Sequence, residues 1–158
     1  MKVYHGSTME IITPDILHSN RYVDFGKGFY ATSFQDQAAR WALRKAMRTR
    51  KEAVVNIYEF DDLSMDVVVK NFSGEDEKWL DFVCECRRGV DIGTEDIIIG
   101  PVADDDVFKT VDMYFRGLWD KDRALKELRY YHKSDQIVFK SAAAIIKTLK
   151  FCGSYKVD

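Results

Sequence analysis

The 158-residue chain predicts an α+β domain, and three observations carry that prediction. Runs such as Val54-Val55-Asn56-Ile57-Tyr58-Glu59-Phe60, Ile97-Ile98-Ile99 and Ile137-Val138-Phe139 are rich in β-branched and aromatic residues and read as strands. Other segments carry apolar residues at helical spacing and read as amphipathic helices. The two kinds do not alternate regularly, which disfavours a doubly wound parallel sheet. With two prolines, no Ser/Gly linker and no repeat, residues 1–158 read as a single domain.

Taken in order, Lys2-Val3-Tyr4-His5-Gly6 is a short first strand ending in a turn, and residues 8–24 are polar and irregular, a long loop. Phe25-Gly26-Lys27-Gly28-Phe29-Tyr30-Ala31-Thr32 sets two glycines one residue apart, a tight backbone position entering a strand. A helix over 35–52 buries Ala38, Ala39, Ala42, Leu43 and Ala46, with Arg40, Arg44, Arg48 and Lys51 in a basic stripe opposite and Trp41 on the flank. Strands are expected at 54–60 and 65–69. Ser73, three residues before Asp76, opens a helix whose apolar positions are Trp79, Phe82, Val83 and Cys86. A buried strand at 96–102 is stopped by Gly100-Pro101, helices follow at 105–117 and 121–131, then a strand at 135–139, a helix at 142–149 and a last strand at 151–157.

Composition excludes several classes. At 46% hydrophobic residues and a net charge of −2 the chain is neither disordered nor a general polyanion-coating surface. No apolar run reaches the roughly 18–20 residues that span a bilayer, so no membrane partner is expected. Three cysteines in no framework spacing, and a polar start unlike a signal peptide, suit a reducing cytoplasmic setting.

Most single residues have bland readings. Cys84-x-Cys86 has the wrong spacing for a zinc knuckle and sits on an apolar helix face, where packing is the better account. Cys152 lacks catalytic context, and His18 and His132 suit solvated or capping roles. Asp104-Asp105-Asp106 complements a helix N-terminus, so no metal site is expected. Three segments are harder to dismiss: Tyr4-His5-Gly6-Ser7, where a strand breaks into a turn; Gly26-Lys27-Gly28-Phe29-Tyr30, where an aromatic follows a glycine pair that lets a ligand approach the backbone; and Asp135-Gln136, opening a late strand.

The order His, then Gly-x-Gly-x-Tyr, then a polar pair resembles the ADP-ribosyltransferase superfamily, in the His-Tyr-Glu branch shared by poly-ADP-ribose polymerases and diphtheria-like toxins. Phe25-Gly26-Lys27-Gly28-Phe29-Tyr30-Ala31 is similar to the second polymerase motif nearly residue for residue, His5-Gly6-Ser7 resembles the first, and Asp135-Gln136-Ile137-Val138-Phe139 the third. With Asp96-Ile97-Ile98-Ile99-Gly100-Pro101-Val102, the pattern looks most like an uncharacterised bacterial family attached to that superfamily. The resemblance implies split central antiparallel sheets flanked by helices. It implies NAD as substrate and transfer of one ADP-ribose unit to an unidentified protein or nucleic-acid acceptor, as in a bacterial toxin or effector. The implied catalytic residues are His5, Tyr30, Asp135 and Gln136, and the implied NAD-binding residues are His5, Gly6, Ser7, Gly28, Tyr30 and Trp41.

The chemistry asks for these residue types. Splitting the nicotinamide–ribose bond passes through a sugar cation like that of glycoside hydrolysis. Tyr30 and Trp41 suit a stacking slot, Gly6 an unobstructed amide-reading backbone, and His5 and Ser7 contacts to ribose hydroxyls. The superfamily's glutamate is missing. Either Asp135 or Gln136 occupies its place, and strand alternation lets only one of them face the cleft. A lost charged contact in the transition state costs roughly 3–4 kcal/mol. That loss motivates a rival reading, an inactive fold of the same type used for ligand sensing or protein binding. A third reading directs the domain to RNA through the stripe Arg40, Arg44, Arg48 and Lys51.

Overall fold

The computed structural model describes residues 1–19, 23–61, 66–90, 93–103, 105–128 and 134–158. Asp104 and His132, named above, together with residue 65 of the expected strand and residues 129–131 of the expected helix, lie outside the described residues. The elements run β1 (Lys2–Ser7), β2 (Phe29–Ala31), α1 (Gln35–Thr49), β3 (Ala53–Phe60), β4 (Val69–Asn71), α2 (Glu77–Arg87), β5 (Ile97–Gly100), α3 (Asp105–Phe115), α4 (Lys121–Leu128), β6 (Gln136–Phe139), α5 (Ala142–Thr148) and β7 (Leu149–Val157).

The class is α+β. One sheet has the order β1-β3-β7 and is antiparallel throughout; the other, β2-β6-β5-β4, is antiparallel except for the β4–β5 pair, which α2 crosses between. Among the described residues the sheets meet at a single bridge, Tyr4 with Thr32, where each backbone amide donates to the other's carbonyl at 2.8 and 2.9 Å.

Alternation along the strands sorts the core into layers. Val3, Tyr58 and Phe60 of the first sheet pack on Phe29, Ala31, Ile97, Ile137 and Phe139 of the second, which forms the central layer. On the outer side of the first sheet, Ala38, Ala42 and Ala46 of α1 lie on Ala53 and Val55. On the outer side of the second, Trp79, Leu80, Phe82 and Val83 of α2, with Val107, Val111, Ala124 and Leu128, cover Phe25, Ile98 and Val138. Small alanines let α1 sit close to its sheet, and that closeness is what reserves position 6 for glycine. A Cβ at Gly6 would collide with the Ala38 carbonyl and lie 2.7 Å from the Ala42 amide nitrogen.

The sequence expectations need three adjustments. The β-branched stretch at 65–69 becomes a strand only over Val69–Asn71, because its partner β5 begins at Ile97, opposite Val69. Val68 is left as the run-in, its amide held by the Asp96 carboxylate at 3.0 Å. The cap of α2 is Asp76, whose carboxylate accepts from the Trp79 amide at 2.8 Å, and not Ser73. Leu43, expected on the buried side of α1, is exposed. The irregular segment after β1 is tied down: Asn56 and Tyr58 bond to the backbone of Met9 and Ile11 at 2.5–3.1 Å. No described helix is long and apolar enough to cross a membrane.

Candidate functional site

The three motif segments lie 25 and more than 100 residues apart in sequence and meet where the two sheets touch. His5 projects from β1 toward the central layer, its ring stacked on Phe29 at 4.4 Å between centroids. Nδ1 lies 2.5 Å from the Tyr30 carbonyl. A carbonyl only accepts, so Nδ1 carries the hydrogen and Nε2 is left as an acceptor. Burial, with the Lys45 ammonium nearby, pushes the imidazole pKa down to about 3, so the ring is neutral at physiological pH.

Tyr4 spends both backbone groups on Thr32, across the edge that β3 does not cover. Gly6, two residues on, therefore presents its own N–H and C=O along the same edge, where β2 has already turned away into α1. Lys45 of α1 donates to that Gly6 carbonyl at 2.9 Å, and burial lowers the lysine's pKa. Trp41 is half-buried against Gly6 on the same helix. Ser7 is buried and shares the face of β1 that carries His5.

Gly26 adopts a left-handed conformation at φ 73°, closing the turn that its amide makes to the Val23 carbonyl. Gly28 has another reason for being glycine. A Cβ there would lie 2.5 Å from Val138 Cγ1 and 2.7 Å from the Phe139 carbonyl. The close approach at Gly28 is that of β6.

Tyr30 points to the helix side of its sheet. Its hydroxyl donates to the Gly26 carbonyl at 2.6 Å and accepts from the Phe25 amide at 3.1 Å. Burial and the Asp24 carboxylate hold the phenol well above its ordinary pKa, so it stays protonated. Beside it opens a cavity of about 450 Å³, walled by Val23, Asp24, Arg87, Phe108, Phe115 and Gln136 among others, but not by Trp41.

Strand alternation separates the two residues of the third motif. Gln136 faces this cavity, donating to the Pro101 carbonyl at 3.1 Å and toward Asp24 Oδ2 at 3.3 Å. Asp135 turns to the junction of β2 with α1. Its carboxylate accepts from Thr32 Oγ1 at 2.7 Å, from the Ser33 amide at 2.8 Å and from the Ser33 hydroxyl. Its own carbonyl accepts from Gln37 Nε2 at 2.7 Å. Asp135 thus fastens the third motif to the end of the second.

The cavity's strongest electrostatic feature is one that the motif reading missed. Arg87 holds Asp24 through Nε at 3.1 Å and a terminal nitrogen at 2.6 Å, while the Ala103 amide donates to the other oxygen at 2.9 Å. Both side chains are nearly enclosed, and Arg87 stacks over the Phe108 ring at 4.5 Å. Removing one partner of such a pair costs about 3–5 kcal/mol. A signal existed in the sequence: Arg87 falls four residues after Val83 and continues the apolar face of α2, where a cation needs an anion.

Over residues 1–151 the chain matches the family described as a protein of unknown function, DUF3990. The chain belongs to the DUF3990 family. That match spans every motif discussed above, and no curated protein matches the chain. In this DUF3990 domain Cys84 and Cys86 are buried packing residues, and burial raises the Cys84 thiol to about 11.

Proposed function

We propose that this DUF3990 domain binds NAD and transfers a single ADP-ribose unit from it, as the resemblance to ADP-ribosyltransferases implies. The observation that carries the reading is convergence. His5, Tyr30 and Asp135 belong to motifs far apart in sequence, yet the His5 ring bonds the Tyr30 backbone, and the Asp135 carboxylate bonds the residues that directly follow β2. The residue types at that junction suit the chemistry. The free edge at Gly6 offers an N–H for a carboxamide, with the Lys45 ammonium already at the neighbouring carbonyl. The neutral His5 leaves Nε2 to accept from a ribose hydroxyl. The cavity beside Tyr30 has aromatic walls and amide and carboxylate groups of a kind that orients a nucleotide. A carboxylate near the scissile bond would stabilise the developing sugar cation chiefly in the transition state. Asp135 is the motif carboxylate for that role, because Asp24 in the cavity wall is held by Arg87 and the Ala103 amide.

A second reading rests on a specific observation. Asp135 already accepts three hydrogen bonds from Thr32 and Ser33, and the residue facing the cavity is the uncharged Gln136. A domain arranged this way would hold NAD or a related nucleotide without cleaving it.

Two measurements on the same protein separate these readings. Saturation at a hundred times the dissociation constant adds about 2.7 kcal/mol to folding stability, a rise in Tm of about 5–10 °C for a domain of this size. Nicotinamide release from labelled NAD reports turnover. Transfer predicts both, with Asp135→Asn lowering turnover at least 100-fold at unchanged NAD affinity. A Tm rise without release supports the binding module. The absence of both a Tm rise and nicotinamide release would overturn the NAD assignment.

A further inference from the structure

The charge of the chain is unevenly placed. Residues 40–51, Arg-Trp-Ala-Leu-Arg-Lys-Ala-Met-Arg-Thr-Arg-Lys, contain six of the 24 basic residues and none of the 26 acidic ones. A protein of net charge −2 therefore carries +6 on this segment and −8 on the rest. The helix α1 turns Ala38, Ala42 and Ala46 inward, so Arg40, Arg44 and Arg48 lie exposed on its outer side, continued past its end by Arg50 and Lys51.

Elsewhere the cations without an ion pair among the described residues (Lys2, Lys27, Lys78, Lys109, Arg123, Lys126 and Lys150) are scattered over the chain, and seven others are paired. Lys70, Arg87, Arg88, Arg116, Lys121, Lys147 and Lys156 each face a carboxylate. Arg40, Arg48, Arg50 and Lys51 face none among the described residues, while Arg44 is engaged. Asp36, one turn before Arg40, makes no ion pair with it, and Glu52 is taken by Lys156 at 2.7 Å. The unpaired Arg40, Arg48, Arg50 and Lys51 repel one another, and the guanidinium fork matches phosphate as well as carboxylate geometry.

We propose that this outer face of α1 binds the phosphodiester backbone of a single-stranded nucleic acid. The half-buried Trp41 ring, beside Arg40 on the flank of the row, suits a strand better than a duplex, because unpaired bases stack on aromatic side chains. A membrane surface fits less well. An interfacial helix must insert a broad apolar face, and that face of α1 is already spent on the sheet, leaving only Leu43 and Met47 outward. The inference stands whether or not the domain cleaves NAD. If it does, Trp41 and Lys45 connect the row to Gly6, and the acceptor is the bound strand.

The test uses the full chain without NAD and a fluorescein-labelled single-stranded RNA of mixed sequence. Anisotropy titrations are run from 50 to 200 mM salt, with a duplex DNA of equal length and vesicles rich in phosphatidylserine as separate arms. Four cations on phosphates give a slope near −2.8 on a log–log plot, a loss of about 50-fold over that range. Arg40→Gln with Arg48→Gln, both exposed, halves the slope to about −1.4 and weakens binding about 25-fold at 100 mM. Far-ultraviolet circular dichroism checks that the variant stays folded. No RNA binding at 50 mM salt, an unchanged slope in the double variant, tighter binding to the duplex, or binding to vesicles alone would each overturn the proposal. Because NAD is absent from this assay, failure of the NAD reading leaves its outcome unaffected.

Discussion

Replacing Gly6 by alanine asks whether this glycine serves packing or only an incoming ligand. The added Cβ would collide with the Ala38 carbonyl, lie 2.7 Å from the Ala42 amide nitrogen and 3.0 Å from Trp41 Cβ. Two of the three obstacles are helix backbone, which cannot step aside as a side-chain tip can. Either α1 lifts off β1 along its length, or the strand edge at Gly6 shifts. Overpacking of a well-packed contact costs about 1–3 kcal/mol, and the backbone obstacles put this site at the upper end. For a domain of this size about 3 kcal/mol lowers Tm by roughly 6–12 °C. Differential scanning calorimetry reads the shift, and a urea titration with unchanged m-value assigns it to stability rather than to a looser native state. Gly74→Ala is the internal control, since a Cβ there meets nothing within 4 Å. That variant should melt with the parent or slightly above it. If Gly6→Ala melted within about 2 °C of the parent, α1 would not be seated on β1 as described, and the geometry of the Gly6 edge would fall with it.

Two further outcomes follow from the same site. His5 has a folded pKa of about 3 against an ordinary 6.5, so between those values the unfolded chain takes a proton that the folded chain refuses. Stability from this group is complete above pH 6.5 and declines as pH falls, by at most about 2 kcal/mol at pH 5. His5→Gln should remove that share of the acid sensitivity, and parallel stability–pH curves for the two proteins would refute it. Gln136→Glu places a second carboxylate 3.3 Å from Asp24 in a buried position and removes the donor to the Pro101 carbonyl. Its folded pKa rises, so the variant is most stable at low pH and loses about 3 kcal/mol relative to the parent as pH climbs from 4 to 8. Thermal melts at pH 5 and pH 8 check this; a loss that is the same at both would mean that position 136 is solvated.

How far the sequence could be read depended on whether a feature was local. The elements β1, α1, β3 and β6 were legible because their apolar period is written in consecutive residues. Ser73 stands three residues before Asp76 at capping-box spacing and read as the cap, but the Trp79 amide bonds the Asp76 carboxylate, so the helix starts later than that pattern suggests. The strand at Val69–Asn71 was placed too early, since strand limits are set by the partner, and Val67 and Val68 have β-branched side chains but no strand opposite them. The motif residues were equally legible as types: His5, Gly6, Tyr30, Asp135 and Gln136 were all named. Their partners were not. Lys45 on the Gly6 carbonyl and Arg87 on Asp24 join residues 39 and 63 apart, and no spacing rule reaches that far.

The sequence by itself determined the α+β class, the alanine face and basic face of α1, and the three motif segments, because each is a property of neighbouring side chains on one element. Only the tertiary structure decided between Asp135 and Gln136. Alternation along β6 requires that they point apart, but which way each points depends on what lies on either side of the sheet. Thr32 and Ser33 capture the carboxylate at the end of β2, while Asp24, Pro101 and the cavity receive the amide. Likewise the second glycine of the pair owes its identity to Val138 and Phe139, more than a hundred residues later, pressing on Gly28. A choice between two faces belongs to the packed sheet and not to the strand that makes it.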